Sequence, residues 1–345
     1  MSKLRIFITS PLAPANVGRI RQVAPDQLEV VYEPDLLPPI RYVADHVGQP
    51  FTRTPEQERR WIDGLSSADI FWDLPRTPAY VAVAKRLKWI QTTSTGVGQA
   101  VQAFGLDKSD IVVTTARGVH AGPLAEFVFM ALLTHWRGLA HLQAEQQQRR
   151  WTRYSGEEVA GRRIVIVGAG DLARGIAQRA RAFELHVTAI GRTAGKGRSH
   201  DGLFDEIKSR DGLHAALAQA DATIVTVPHT TETERMIDAA AFAAMKKNSV
   251  FINIARGQVV DEPALIDALR SGHLGFAALD VATVEPLAQT SPLWTLPNVL
   301  VSPHSASTVA SENTKITDIF CWNLGCWLDG RIDAMRNVFD KRVLY

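Results

Sequence analysis

Short apolar runs recur along the chain between longer stretches with helix-like spacing. In the first 115 residues the strand-like runs are Leu4–Ile8, Ala68–Trp72, Trp89–Gln91 and Ile111–Val113. Alternation of such runs with helical segments predicts a parallel α/β unit. From Arg162 onward the rhythm sharpens, with strands expected at Arg163–Val167, His186–Ile190, Ala222–Val227, Val250–Ile254, Phe276–Asp280 and Val299–Val301. Helices fit between them, for instance Asp171–Ala182 and Glu262–Ser271, which makes a doubly wound sheet with helices on both faces. One long helix is expected from Pro123 to Arg150, apolar from Phe127 to Trp136 and polar from Gln143, a connector between two domains. Segment 33–60 carries Pro34, Pro38, Pro39, Pro50 and Pro55 with many charges; it has no clear period and stays unassigned.

Composition narrows the class. With 345 residues, 46% of them apolar, the chain can build two cores of ordinary size. Lys and Arg number 38 against 36 Asp and Glu, so the formal charge of +2 gives no reason to expect nucleic acid or an anionic membrane as partner. Cys321 and Cys326 are too few and too close for a disulfide framework, and read as buried thiols of a helix in a reducing compartment. The apolar run Ile6-Phe7-Ile8 is broken at once by Thr9, Ser10 and Pro11, too short for a secretory leader. A soluble, cytoplasmic protein is expected. Arg149, Arg150 and Arg153 around Trp151 read as a solvated helix end rather than an anion site.

Gly168-Ala169-Gly170-Asp171-Leu172-Ala173 follows a strand and opens a helix, the context in which G-x-G-x-x-G/A signifies a dinucleotide site. Gly168 permits the tight turn, Gly170 lets the backbone approach a pyrophosphate, and Ala173 allows the helix to pack closely on the sheet. Asp171 should turn its carboxylate away and, like Leu172, offer only its N–H. The next strand ends in Gly191-Arg192-Thr193, and no Asp or Glu occurs between His186 and His200, where Arg192, Lys196 and Arg198 stand. An acidic residue there would hold the ribose hydroxyls of NAD; a guanidinium pairs with a 2′-phosphate. NADP(H) is therefore the preferred cofactor, with NAD(H) compatible.

Three further segments lie at strand ends, where an open α/β sheet collects its ligands: Asn253–Gly257, Leu279–Pro286 and Ser302–Ser307. They carry Arg256, Glu285 and His304. With these, the chain resembles the D-isomer-specific 2-hydroxyacid dehydrogenase family. The resemblance rests also on Lys88–Val97, Ala116–His120, Val227–Thr233, Asn253–Val260, Ser291–Ser307 and Asn337–Asp340, and covers essentially the whole length. It implies two flavodoxin-like or Rossmann-like lobes with the active site between them. Residues 1–117, completed by 309–345, would be the substrate lobe, and 118–308 the dinucleotide lobe.

The resemblance further implies that Arg256 holds the substrate carboxylate and polarises the keto oxygen. His304 would be the general acid, with Glu285 stabilising its imidazolium. Thr95 and Gly96 would hold the carboxylate through backbone N–H groups, and Asp280 would receive the nicotinamide carboxamide. Val227, Pro228, Ile254 and Ala255 would line the cofactor beside His304. The chain departs from many relatives at Gly98, where an acidic residue is common, and an added domain of the phosphoglycerate dehydrogenase type is not expected. Glu285 argues against formate dehydrogenases. Gly191-Arg192-Thr193 resembles the NADPH-preferring glyoxylate/hydroxypyruvate reductases, so reduction of a small 2-oxo acid to the D-2-hydroxy acid by a homodimer is expected. The alternatives are a larger 2-oxo acid such as phenylpyruvate, another anion such as phosphite, or a nucleotide-sensing binding protein without catalysis.

Overall fold

In the computed structural model, which describes residues 3–192 and 202–342, Leu4–Ile8 form β1 and bury Ile6, Phe7 and Ile8. Burial on both faces is what a parallel sheet imposes, because its crossover helices cover both sides. β2 (Leu28–Val31), β3 (Ile70–Trp72), β4 (Trp89–Gln91) and β5 (Val112–Thr114) complete a parallel sheet in the order β2-β1-β3-β4-β5. Successive side chains feed opposite cores. Ile6, Ile8, Ile70, Trp72 and Trp89 meet Ile316, Phe320 and Leu324 of the helix Glu312–Leu328. Phe7, Phe71 and Ile90 meet Trp61 and Leu65 of the helix Pro55–Ser67. Trp72 stands edge-on to Phe320 at 5.4 Å between ring centres. This unit runs to Val119 and resumes at Thr308.

The second unit spans His120–Ser307. Its strands are β6 (Arg163–Val167), β7 (His186–Ile190), β8 (Glu206–Lys208), β9 (Ala222–Val225), β10 (Ser249–Asn253), β11 (Leu274–Leu279) and β12 (Val299–Val301). They pair in parallel in the order β12-β11-β10-β9-β6-β7-β8. Read from β6, this is the doubly wound dinucleotide-binding order with one strand added at the far edge, and it reverses between β6 and β9. Ile164, Ile166, Val250 and Ile252 face the helices Ala121–Trp136 and Asp171–Ala182, while Val165, Val167 and Phe251 face Leu213–Leu217, Ala239–Ala244 and Glu262–Arg270.

Several expectations need correction. The long helix is two, Ala121–Trp136 and Leu139–Gln147, broken where Gly138 takes φ 67°. Tyr154 Oη donates to the freed Arg137 carbonyl at 2.7 Å and so covers the break. Both helices lie within the second unit rather than connecting the two. The strand expected to reach Val227 stops at Val225, and Thr226 beyond it gives its N–H to the Val167 carbonyl of β6 at 2.9 Å. β2 and β8 are short edge strands carrying charged residues, with too little alternation to be read. Of the two thiols, Cys326 is buried and Cys321 only half-buried.

Candidate active site

The glycine turn sits at the point where the strand order of the second unit reverses. Gly168 holds φ 126°, and a Cβ there would run into Thr226 Oγ1. Thr226 is fixed by donating both its N–H (2.9 Å) and its Oγ1 (3.0 Å) to the Val167 carbonyl. Only glycine meets both demands. Gly170 then occupies the N-cap of Asp171–Ala182 and, lacking a side chain, cannot itself cap the first turn. The N–H groups of this turn, those of Asp171 and Leu172 among them, are the donors a pyrophosphate requires. Ala173 is fully buried against the sheet. A dinucleotide thus fits the turn. Arg192 is exposed just beyond β7. Thr193, Lys196 and Arg198 lie outside the described residues.

Arg256, Glu285 and His304 follow β10, β11 and β12, three adjacent strands of one sheet. Asn253 staples the first of these turns: Oδ1 accepts from Ala255 N–H at 3.1 Å and Nδ2 donates to the Arg256 carbonyl at 3.2 Å. Arg256 is exposed, and Nη1 donates to the carbonyl of Ala255 at 2.7 Å. Gly257 lies flat on the Ala282–Thr283 peptide, where any Cβ would collide with backbone. Gln258 Nε2 donates to the Thr283 carbonyl at 2.9 Å, and Glu262 Oε2 accepts from Thr283 N–H at 2.9 Å. Thr283 is therefore held at both its N–H and its carbonyl, two residues before Glu285.

Glu285 Oε1 accepts from Ala282 N–H at 3.2 Å, and Oε2 lies 2.8 Å from His304 Nδ1. His304 has φ 53°, a left-handed conformation that non-glycine residues hold only when surroundings dictate it. Asp280 dictates it here. Its carbonyl accepts from His304 N–H at 2.9 Å, and its Oδ1 accepts from Ser302 Oγ (2.6 Å), Ser305 N–H (2.8 Å) and Ala306 N–H (2.9 Å). Burial raises the Asp280 carboxyl above the usual range, against the pull of Ser302, Ala306, His304 and Ser305. Ile254 and Ala255 are buried, and Val227 and Pro228 follow β9. Thr95 and Gly96 belong to the first unit, in the loop after β4. There Ala116 N–H donates to the Ser94 carbonyl at 3.1 Å and Thr93 N–H to Asp73 Oδ1 at 3.3 Å.

Thr226, Asn253, Gln258, Glu262 and Ser302 escaped sequence reasoning as site residues. Asn253 had a signal, an Asn closing a strand before a turn; the others act through neighbours distant in sequence. Among the described residues no cluster of His, Cys, Asp and Glu could hold a metal ion.

A turn for pyrophosphate on a doubly wound sheet, with a histidine–carboxylate pair at neighbouring strand ends, defines a class of nucleotide-dependent oxidoreductase folds. The family model for the D-isomer specific 2-hydroxyacid dehydrogenase NAD binding domain matches residues 129–306, and the chain belongs to this family. It is 33% identical over 306 residues to a D-3-phosphoglycerate dehydrogenase from Mycobacterium leprae, a match taking in 81% of this chain and 55% of that protein. The chain thus spans about half the length of such relatives. To glyoxylate/hydroxypyruvate reductase B from Salmonella agona it is 32% identical, over 83% of this chain and 87% of that one. The solved structure of an NADPH-dependent glyoxylate/hydroxypyruvate reductase from Sinorhizobium meliloti, in complex with NADP and sulfate, is similar with a TM-score of 0.77 at 25% identity, covering 99% of this chain and 100% of that one.

Proposed function

We propose that this protein reduces a small 2-oxo acid of the glyoxylate or hydroxypyruvate kind to the D-2-hydroxy acid, using NADPH. The observation that carries this reading is the His304–Glu285 pair, 2.8 Å apart, at the ligand-binding edge of a dinucleotide sheet. Because Glu285 engages Nδ1, the imidazole is oriented with Nε2 as its reacting end. His304 delivers its proton to the keto oxygen as the carbonyl carbon gains hydride, and Glu285 orients the ring for that transfer. Arg256 holds the substrate carboxylate and polarises the keto group, and the amides of Thr95 and Gly96 share that carboxylate. In this reading the first unit binds substrate and the second binds nucleotide. Bound NADPH supplies the hydride. Gly168, Gly170, Asp171 and Leu172 hold its phosphates, and Val227, Pro228, Ile254, Ala255 and Asp280 flank it. Arg192 pairs with the 2′-phosphate, a preference supported by the NADP complex of the Sinorhizobium meliloti reductase.

The working form in this reading is a homodimer. Met130, Leu139, Leu142 and Trp151 are exposed apolar side chains of the second unit, and Trp151 is 99% exposed, more than an isolated surface would favour. Sedimentation as a monomer at micromolar concentration would overturn it.

The test of the reaction is the absorbance of reduced nicotinamide followed with glyoxylate, hydroxypyruvate, pyruvate and phenylpyruvate, with NADPH and NADH separately. NADPH should be preferred, and Arg192→Ser should reduce that preference about tenfold or more, the loss expected for a charge-assisted phosphate contact. An equal preference in the variant removes Arg192 from the 2′-phosphate site. No turnover with any of the four overturns the reaction.

A further inference from the structure

The sheet of the second unit sets another guanidinium beside that of Arg192. β7 and β8 pair in parallel, with Thr188 opposite Glu206 and Ile190 opposite Lys208. The ladder runs one step further, since Gly191 N–H donates to the Lys208 carbonyl at 2.9 Å. That bond sets Gly191 opposite Ser209, and the next residues, Arg192 and Arg210, leave the carboxyl edge as neighbours. Adjacent strands lie about 4.8 Å apart, so two side chains as long as those of arginine can grip one group between them.

The backbone of Arg210 is fixed. It opens a single turn of 3-10 helix, Arg210–Gly212, in which Gly212 N–H donates to the Ser209 carbonyl at 3.0 Å and Leu213 N–H to that of Arg210. Leu213 is buried in the core of the second unit and anchors the turn. Gly212 lies against the stem of Lys208, whose Cβ would be 3.2 Å from a Cβ placed there. Arg210 itself is exposed, as Arg192 is.

Charge is sorted along the β7–β8 pair. Its carboxylates stand at the amino end, where Asp205 Oδ2 accepts from Val187 N–H at 2.7 Å and Glu206 begins β8. Lys208 Nζ turns back to Glu206 at 3.0 Å and is thereby engaged. At the carboxyl end the two arginines stand together, and no carboxylate among the described residues forms an ion pair with either, the exposed Asp211 included. Like charges opposite one another on neighbouring strands are destabilising. A dianion between them converts that repulsion into two attractions. A phosphate monoester carries about −1.5 to −2 at neutral pH, more than one guanidinium neutralises.

In a doubly wound sheet the pyrophosphate sits at the first glycine turn and the adenosine ribose at the end of the following strand. Here those places are Gly168 after β6 and Gly191 after β7. The strand order β9-β6-β7-β8 continues in the same direction, so the strand on the far side of that ribose is β8. We propose that Arg210 is a second guanidinium for the 2′-phosphate of NADPH, forming with Arg192 a clamp drawn from two neighbouring strand ends. This rests on the reading that NADPH is the preferred nucleotide.

The test is equilibrium binding of NADPH and of NADH, followed by the fluorescence of reduced nicotinamide, in wild type, Arg210→Gln and Arg210→Lys. Wild type should bind NADPH more tightly than NADH. Arg210→Gln should weaken NADPH about tenfold or more, the loss expected for a charge-assisted bond. Its affinity for NADH should stay near that of wild type, which also reports that the variant is folded. Arg210→Lys, which keeps the charge without the fork, should recover part of the loss. Unchanged NADPH affinity in Arg210→Gln, or equal weakening of both nucleotides, overturns the inference and leaves the reading of Arg192 standing. Wild type that binds NADH as tightly as NADPH overturns the nucleotide preference and this inference with it.

Discussion

Two histidine–carboxylate pairs of this protein, His304–Glu285 and His46–Glu312, use opposite ring nitrogens in opposite surroundings. Glu285 engages Nδ1 of His304 at 2.8 Å, with the two side chains 38% and 44% exposed. Glu312 engages Nε2 of His46 at 3.3 Å, and there both groups are largely buried. An open pair can take up and release a proton with little change in solvation. A closed pair cannot change charge cheaply, since each charge state of a buried group is stabilised only by its fixed neighbours. The first arrangement suits proton exchange with a reacting group and the second a fixed contact inside the fold. The same two residue types acquire different work from exposure and from which nitrogen is already taken.

The comparison breaks most visibly at His304. His304→Gln keeps a polar side chain at the end of the loop but carries no exchangeable acid, and kcat should fall about a hundredfold to ten-thousandfold. The melting temperature should hardly move. Activity within a few-fold of wild type would mean that the exposed pair is not the proton source.

A smaller effect is expected from Gly257→Ala, which leaves every reacting group in place. The new methyl meets the Ala282–Thr283 backbone, so the loop of Arg256 or that of Glu285 must shift. Displacement of reacting groups by a fraction of an ångström should lower kcat about tenfold to a hundredfold, while nucleotide affinity stays near wild type. Unaltered kcat would show that the two loops do not depend on this contact.

Asp45→Asn probes the brace of the buried pair, and here the effect is on stability. The Asp45 carboxyl is held well below the usual range, first by the hydrogen bonds of Arg41 and then by the N–H groups of Gly48, Arg41 and Val47, against the upward pull of burial. A lowered folded value means that its contribution is complete above the unfolded carboxylate value of about 4 and is lost as pH falls through the folded value. The variant should be less stable by about 1–2 kcal/mol at neutral pH, and the difference should shrink on acidification in urea unfolding. A difference independent of pH would assign the effect to the loop backbone instead.

What could be read from the sequence divides along the same line as the two pairs. Gly168, Arg256, Glu285 and His304 stand at the ends of apolar runs whose periodicity is plain, so the fold dictates where each must lie. His46 stands in the proline-rich segment 33–60, where an Asx-type loop folds around Asp45 without any period. Its partner Glu312 is 266 residues away. No local rule reports such a pairing. The break at Gly138 was concealed for a related reason: the residue that covers it, Tyr154, lies beyond the next helix.

The helix Glu312–Leu328 gives the first unit Ile316, Phe320 and Leu324 as well as the carboxylate for His46. A chain emerging from the ribosome reaches Val119 with Trp72 and Trp89 still lacking Phe320, their neighbour in the finished core. The second unit, His120–Ser307, is continuous in sequence and can close as soon as it has been made. Synthesis therefore completes the later unit first, and the earlier one must keep two large indole rings incompletely covered until the helix Glu312–Leu328 has been made.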